Sequence, residues 1–143
     1  MASLGRAASE AWEAMYRATT TIGRDLSAGK AWGGLSPSEY GVLYALTQAP
    51  TGIRISDLGK DVLLTQPGLT RLAARLVHKG FIQRLADPDD GRATRLVLTD
   101  EGRAIQRRVG SIHAREITVS MAKNLSAEEL IHLRDLCAKI LQE

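Results

Sequence analysis

The sequence predicts a mostly α-helical fold with a small β-hairpin, arranged as a winged helix-turn-helix. Three observations carry that expectation. Apolar residues recur at helical spacing through most of the 143 residues. Two short apolar runs flank a turn-rich Asp87-Pro-Asp-Asp-Gly-Arg92 segment, as in a hairpin. Between Thr65 and Arg84 stand Arg71, Arg75, Lys79 and Arg84, with His78 and no carboxylate. Such an acid-free basic face suits a polyanion, since each uncancelled cation can neutralise a phosphate and release a counterion.

The elements follow in order. Trp12, Met15, Tyr16, Thr19, Ile22 and Leu26 form an apolar stripe on a first helix over about 9–27. Glycines in Ala28–Gly34 break it. Ser36-Pro-Ser-Glu39 is a capping box with proline at the first helical position, and Leu35 and Tyr40 are placed as a hydrophobic staple. That second helix stops near Ala49-Pro50. Ile53–Ile55 suits a very short strand, and Ile55–Val62 a short third helix with Leu58 and Val62 inward. Thr65 is a good N-cap for a fourth helix, whose buried stripe is Leu69, Leu72, Ala73, Leu76 and Val77 and whose end is Lys79-Gly80.

Strands at 81–86 and 94–98 make the wing. Thr99 caps a long fifth helix, with Asp100 and Glu101 at its positive pole and Ile105, Val109, Ile112 and Ile117 on its apolar face. Ser126-Ala-Glu-Glu129 is a second capping box, opening a sixth helix with Leu130, Leu133, Leu136, Cys137, Ile140 and Leu141. The expected organisation is one domain over 1–143: a winged-helix lobe at 35–99, and dimerisation helices at 1–30 and 100–143. The terminal stripes exceed what the central core can cover, which predicts a homodimer interlocked through Trp12, Ile112, Leu133, Cys137 and Ile140.

Composition narrows the function. The formal net charge is +3, with 44% hydrophobic and 24% charged residues, ordinary for a globular protein. The single cysteine, Cys137, excludes an intrachain disulfide framework and a cysteine-rich zinc site. His78, His113 and His132 share no metal-ligand spacing. No metal, cofactor or catalytic constellation is expected, so no enzyme. No apolar run reaches the roughly 20 residues of a membrane span, and no secretory signal is visible. A cytoplasmic protein is expected.

On the fourth helix, Gln66, Thr70, Arg71, Ala74, Arg75 and His78 lie opposite the leucine stripe. Gln66 suits a bidentate pair to adenine, and Thr70 a methyl contact to thymine. Arg71 suits guanine or a phosphate, Arg75 and Lys79 phosphates. Arg92 at the wing tip suits a narrow, A·T-rich minor groove. Arg95 is placed along the backbone. Arg54 and Ser56, at the start of the third helix, are placed near a phosphate, with simple capping an equal alternative.

Several stretches resemble the multiple antibiotic resistance regulator (MarR) family of winged-helix transcription factors. They are Leu35-Ser-Pro-Ser-Glu-Tyr-Gly-Val-Leu43, Ile55-Ser-Asp-Leu-Gly59, Gly68-Leu-Thr-Arg-Leu72, Lys79-Gly-Phe-Ile82 and Asp87–Gly102. The resemblance implies a homodimer on a pseudo-palindromic duplex operator, usually a repressor, released in many members by a small, often aromatic or phenolic effector. It places Ser38 near the backbone and gives Asp90 the role of bracing the wing by pairing with an arginine. Tyr16, Tyr40 and His113 are candidate lining for an effector cavity. Two rival readings stay open: a winged-helix protein-interaction module without DNA binding, and a thiol-based redox regulator acting through Cys137. Activation or repression, operator and effector are not legible.

Overall fold

The computed structural model describes residues 3–28, 32–61 and 66–142. Val62 as an inward residue, Thr65 as N-cap and the side chain of Gln66 lie outside what is described. The elements are α1 (Leu4–Ala28), α2 (Pro37–Thr47), β1 (Ile53–Arg54), α3 (Ile55–Asp61), α4 (Gln66–His78), β2 (Ile82–Ala86), β3 (Thr94–Leu98), α5 (Asp100–Ala122) and α6 (Ala127–Leu141). This is the order expected from the sequence. The strands form an antiparallel sheet in the order β1-β3-β2, so the two-residue β1 pairs with the wing's second strand.

Both capping boxes form. The Ser36 hydroxyl accepts from Glu39 N at 3.1 Å, and Glu39 Oε1 accepts from Ser36 N at 3.0 Å. Ser126 and Glu129 exchange the same pair at the head of α6, at 3.2 and 2.8 Å. Each satisfies two otherwise orphaned helix-end donors. The end of α4 is a Schellman motif: Gly80 takes φ +80°, Gly80 N donates to Val77 O, and Phe81 N donates to Leu76 O.

The chain divides into two compact units, Lys30–Ile112 and Met1–Gly29 with His113–Glu143. In the first, Leu43, Leu46, Leu58, Leu69, Leu76, Ile82 and Leu96 are fully buried, and Trp32, Leu35, Ile105 and Val109 join the same core. The opening turns of α5 thus pack with the winged helix, and the lobe reaches past the boundary expected at 99. The reason is visible at Gly102: a Cβ there would strike the Phe81 carbonyl, so only glycine lets α5 start this close to the strand.

The other unit is built differently. Neither α1 nor α6 contains a buried residue within the single chain. Trp12 is 63% exposed, Tyr16 60% and Ile140 65%. No helix among the described residues is long and apolar enough to cross a membrane.

Candidate nucleic-acid interface

The buried stripe of α4 fixes what its other side presents. With Leu69, Leu72, Ala73 and Leu76 inward, the residues Thr70, Arg71, Ala74, Arg75 and His78 are all exposed. Arg71 and Arg75 are one turn apart on this face and have no ion-pair partner among the described residues. Ser38 and Ser56 are exposed in the first turns of α2 and α3.

Lys79 departs from the expected phosphate role. Its Nζ lies 2.8 Å from Glu39 Oε2 and also donates to the Gly34 carbonyl at 3.4 Å. Glu39 is buried. Burial alone would raise its carboxyl, but the hydrogen bond and charge of Lys79, with the Ser36 bonds, hold it below its ordinary value. One carboxylate therefore caps α2 through one oxygen and ties down the end of α4 through the other. The two residues are 40 positions apart, and no local spacing signals the contact.

The wing carries a second correction. The arginine pairing expected of Asp90 belongs to Asp87, whose side chain is fully buried. Asp87 Oδ2 accepts from Arg54 Nε at 2.7 Å and Arg95 Nε at 2.9 Å. Its Oδ1 accepts from the backbone N–H groups of Asp89 and Asp90, at 2.8 and 3.1 Å. The hydrogen bonds from Arg54 and Arg95 outweigh burial and hold this carboxyl far below the usual carboxylate range, and Asp87 raises Arg54 in return. Asp90 instead accepts from Arg92 N at 3.0 Å, an Asx-type turn within the tip. Arg92 itself is exposed, with no ion pair among the described residues.

Arg54 and Arg95 are thus not simple free cations, as their sequence positions suggested. The signal for Asp87 was present in Asp-Pro: an aspartate at a strand's end, followed by proline, offers its oxygens to the next two N–H groups.

The remaining sequence-predicted residues divide between the two units. Tyr40 is in the winged-helix unit, edge-on to Trp32 at 5.4 Å and beside Tyr44 at 6.3 Å. Tyr16 and His113 belong to the terminal-helix unit, where Tyr16 meets Trp12 at 6.1 Å. One pocket of about 320 Å³ in that unit is lined by Asp25, Leu26, Arg115, Glu116, Val119 and Ser120, and so by neither Tyr16 nor His113. Ile112 and Cys137 are half-buried, Leu133 exposed.

A short third helix leading to an exposed basic helix, backed by a three-stranded sheet with an arginine-tipped wing, defines a winged helix-turn-helix fold. The comparisons with known proteins agree. The MarR family profile matches residues 35–94. The multiple antibiotic resistance protein MarR of Escherichia coli (strain K12) is 37% identical over 83 residues, 57% of this chain and 58% of that protein's length. A mutant of that MarR, solved in complex with operator DNA, superposes with a TM-score of 0.80 at 26% identity, covering 98% of this chain and 99% of the other. A probable transcriptional regulator from Pseudomonas aeruginosa gives 0.72 at 31% identity, over 88% and 92%. The PcaV transcriptional regulator from Streptomyces coelicolor, solved with its natural ligand, gives 0.66 at 29%, over 99% and 98%. Residues 35–94 thus carry the MarR-family winged-helix region, and the whole chain has the fold of the MarR structures it superposes on.

Proposed function

We propose that this chain is a cytoplasmic, homodimeric transcriptional repressor that binds a pseudo-palindromic duplex operator and is released by a small effector. The observation that carries the DNA reading is the exposed face of α4, where Arg71 and Arg75 stand without counter-charges among the described residues, beside Thr70 and Ala74. An α-helix with that face fits a major groove, the arginines reaching phosphates or guanine while Gln66 and Thr70 meet base edges. Arg92, on a tip closed by Asp90, is positioned for the adjoining minor groove, and Ser38 and Ser56 for the backbone. Likeness to the operator-bound E. coli protein supports this placement.

The dimer reading rests on α1 and α6, whose apolar faces a single chain leaves in water. We assign 1–30 and the helices after the wing to that interface, with two recognition helices about 34–36 Å apart on one duplex face. The effector reading rests on likeness to PcaV with its ligand. An effector acts by favouring a spacing of the two lobes that cannot engage both half-sites.

The test is binding of the chain to the intergenic DNA beside its own gene, across a salt series and with candidate phenolic ligands. Expected are a steep fall in affinity with salt and loss of binding when Arg71, Arg75 and Arg92 are reversed to Glu. A variant so reversed that keeps full affinity for duplex sinks the DNA reading. Affinity unchanged by every ligand leaves constitutive binding.

A further inference from the structure

Arg54 and Arg95 stand directly opposite one another across the β1–β3 ladder. Like charges in that register destabilise a sheet. Their side chains are also partly withdrawn from water, 37% and 24% exposed. Asp87 makes the juxtaposition tolerable by taking both on one buried oxygen. Asp89 pairs loosely with Arg95, and Asp90 and Asp57 attract Arg54 from longer range, so among the described residues Asp87 is the one carboxylate at hydrogen-bonding distance from either guanidinium. A brace for the wing needs a single arginine, so the second is not explained by folding alone.

The bonding geometry points to a use. Each guanidinium meets Asp87 through Nε. The Nη groups, the fork that suits phosphate oxygens, are left by that carboxylate for another acceptor. The nearest further acid, Asp89, lies 3.9 Å from Arg95 Nη2, beyond hydrogen-bonding distance. Asp87 Oδ1 meanwhile anchors the tip that carries Arg92, and Arg54 is the last residue before α3. One carboxylate thus sets the wing tip, β3 and the entry to the helix-turn-helix in fixed relation.

We propose that Arg54 and Arg95 form a preorganised two-guanidinium site for a backbone phosphate of bound duplex, with Asp87 as its positioning residue. This rests on the duplex binding proposed above. It differs from it in sign at one position. Asp87→Asn removes one negative charge from the root of the wing, so charge alone makes binding to a polyanion tighter. Loss of a preorganised phosphate contact makes it weaker.

The experiment uses the full chain and a duplex selected by the wild type from a random library, with affinity measured by fluorescence anisotropy over a salt series. Asp87→Asn is expected to weaken binding about tenfold, on the scale of one lost charge-assisted contact. The slope of log affinity against log salt should become shallower by about one. Arg54→Gln should do the same, and Asp87→Asn with Arg54→Gln should be no weaker than either alone. Arg54→Lys, which keeps the charge but not the fork, should follow Arg54→Gln. If Asp87→Asn loses the wing, seen as lost amide protection in β2 and β3, the two Arg54 variants carry the comparison, since the Arg95–Asp87 pair stays in place. Equal or tighter binding by Asp87→Asn with the wing intact, or wild-type affinity and slope in Arg54→Lys, overturns the phosphate site while leaving duplex binding standing. A wild type that selects no duplex removes both.

Discussion

Gly102→Ala tests whether the junction between wing and α5 is built as described. Helix propensity alone favours alanine over glycine inside a helix by about 1 kcal/mol. The structure argues the reverse. A Cβ on Gly102 would overlap the Phe81 carbonyl oxygen, sit 2.8 Å from its carbon and lie 3.2 Å from Leu98 Cδ2. The obstacle is backbone rather than a flexible side-chain end, so the first turn of α5 must move. Three hydrogen bonds hold that turn: Thr99 N to Phe81 O at 3.1 Å, Thr99 Oγ1 to Gly80 O at 2.6 Å, and Gly102 N to Thr99 Oγ1 at 3.0 Å. Overpacking costs about 1–3 kcal/mol, and a weakened N-cap costs about 1 kcal/mol more. Against the propensity gain the net loss is about 1–3 kcal/mol, or roughly 3–10 °C in melting temperature for a chain of this size. Thermal unfolding followed by far-UV circular dichroism reads it, at one fixed protein concentration because an associating chain melts higher when concentrated. Gly91→Ala, where a Cβ meets nothing within 4 Å, is the matched control. A Gly102→Ala protein as stable as the wild type would refute the close approach.

Two further expectations concern stability and assembly. Because Glu39 is held below its ordinary value of 4.5 in the folded chain, its pairing with Lys79 stabilises the fold above that value and fails as pH falls through the folded one. Glu39→Gln should therefore lower the urea midpoint at pH 7 and flatten its decline below pH 4.5; a parallel decline in both proteins would refute the linkage. Leu133→Asp with Ile140→Asp should give a monomer by sedimentation equilibrium while the winged-helix unit keeps its helical signal, and a dimer of unchanged affinity would move the interface off this face of α6.

Local chemistry made most of the fold legible. Ser36 with Glu39 and Ser126 with Glu129 announce helix starts because a capping box needs only residues three apart. Leu69, Leu72, Ala73 and Leu76 announce the buried side of α4 by their period, and hence its exposed side as well. The wing follows from its turn residues. What stayed hidden depends on residues far apart in sequence. Lys79 looked free because no acid is near it along the chain, yet Glu39 reaches it from α2. Asp90 looked like the brace because it matches the Asp-x-Arg pattern that the family resemblance implies, yet strand pairing brings Arg54 and Arg95 to Asp87. The boundary of the lobe was hidden for a similar reason: Ile105 and Val109 carry a helical stripe whose partner, the core around Trp32 and Leu35, is more than sixty residues away.

A count of cations along 65–84 treats them as equivalent, but the fold sorts them by position. Glu39 neutralises Lys79 where α4 ends against the rest of the lobe, and Asp87 gathers Arg54 and Arg95 at the root of the wing. Both carboxylates are buried, so each acts on a seam rather than on the outer surface. Arg71, Arg75, Arg84 and Arg92 receive no such partner among the described residues. A charge run that served only solubility would have no reason to be divided in this way, since scattered acids anywhere nearby would do. Buried acids at the seams leave the exposed face of α4 cationic, and at the wing tip, where Asp89 and Asp90 are exposed, Arg92 still carries no ion pair among the described residues; that division fits a surface that keeps its charge for an external polyanion.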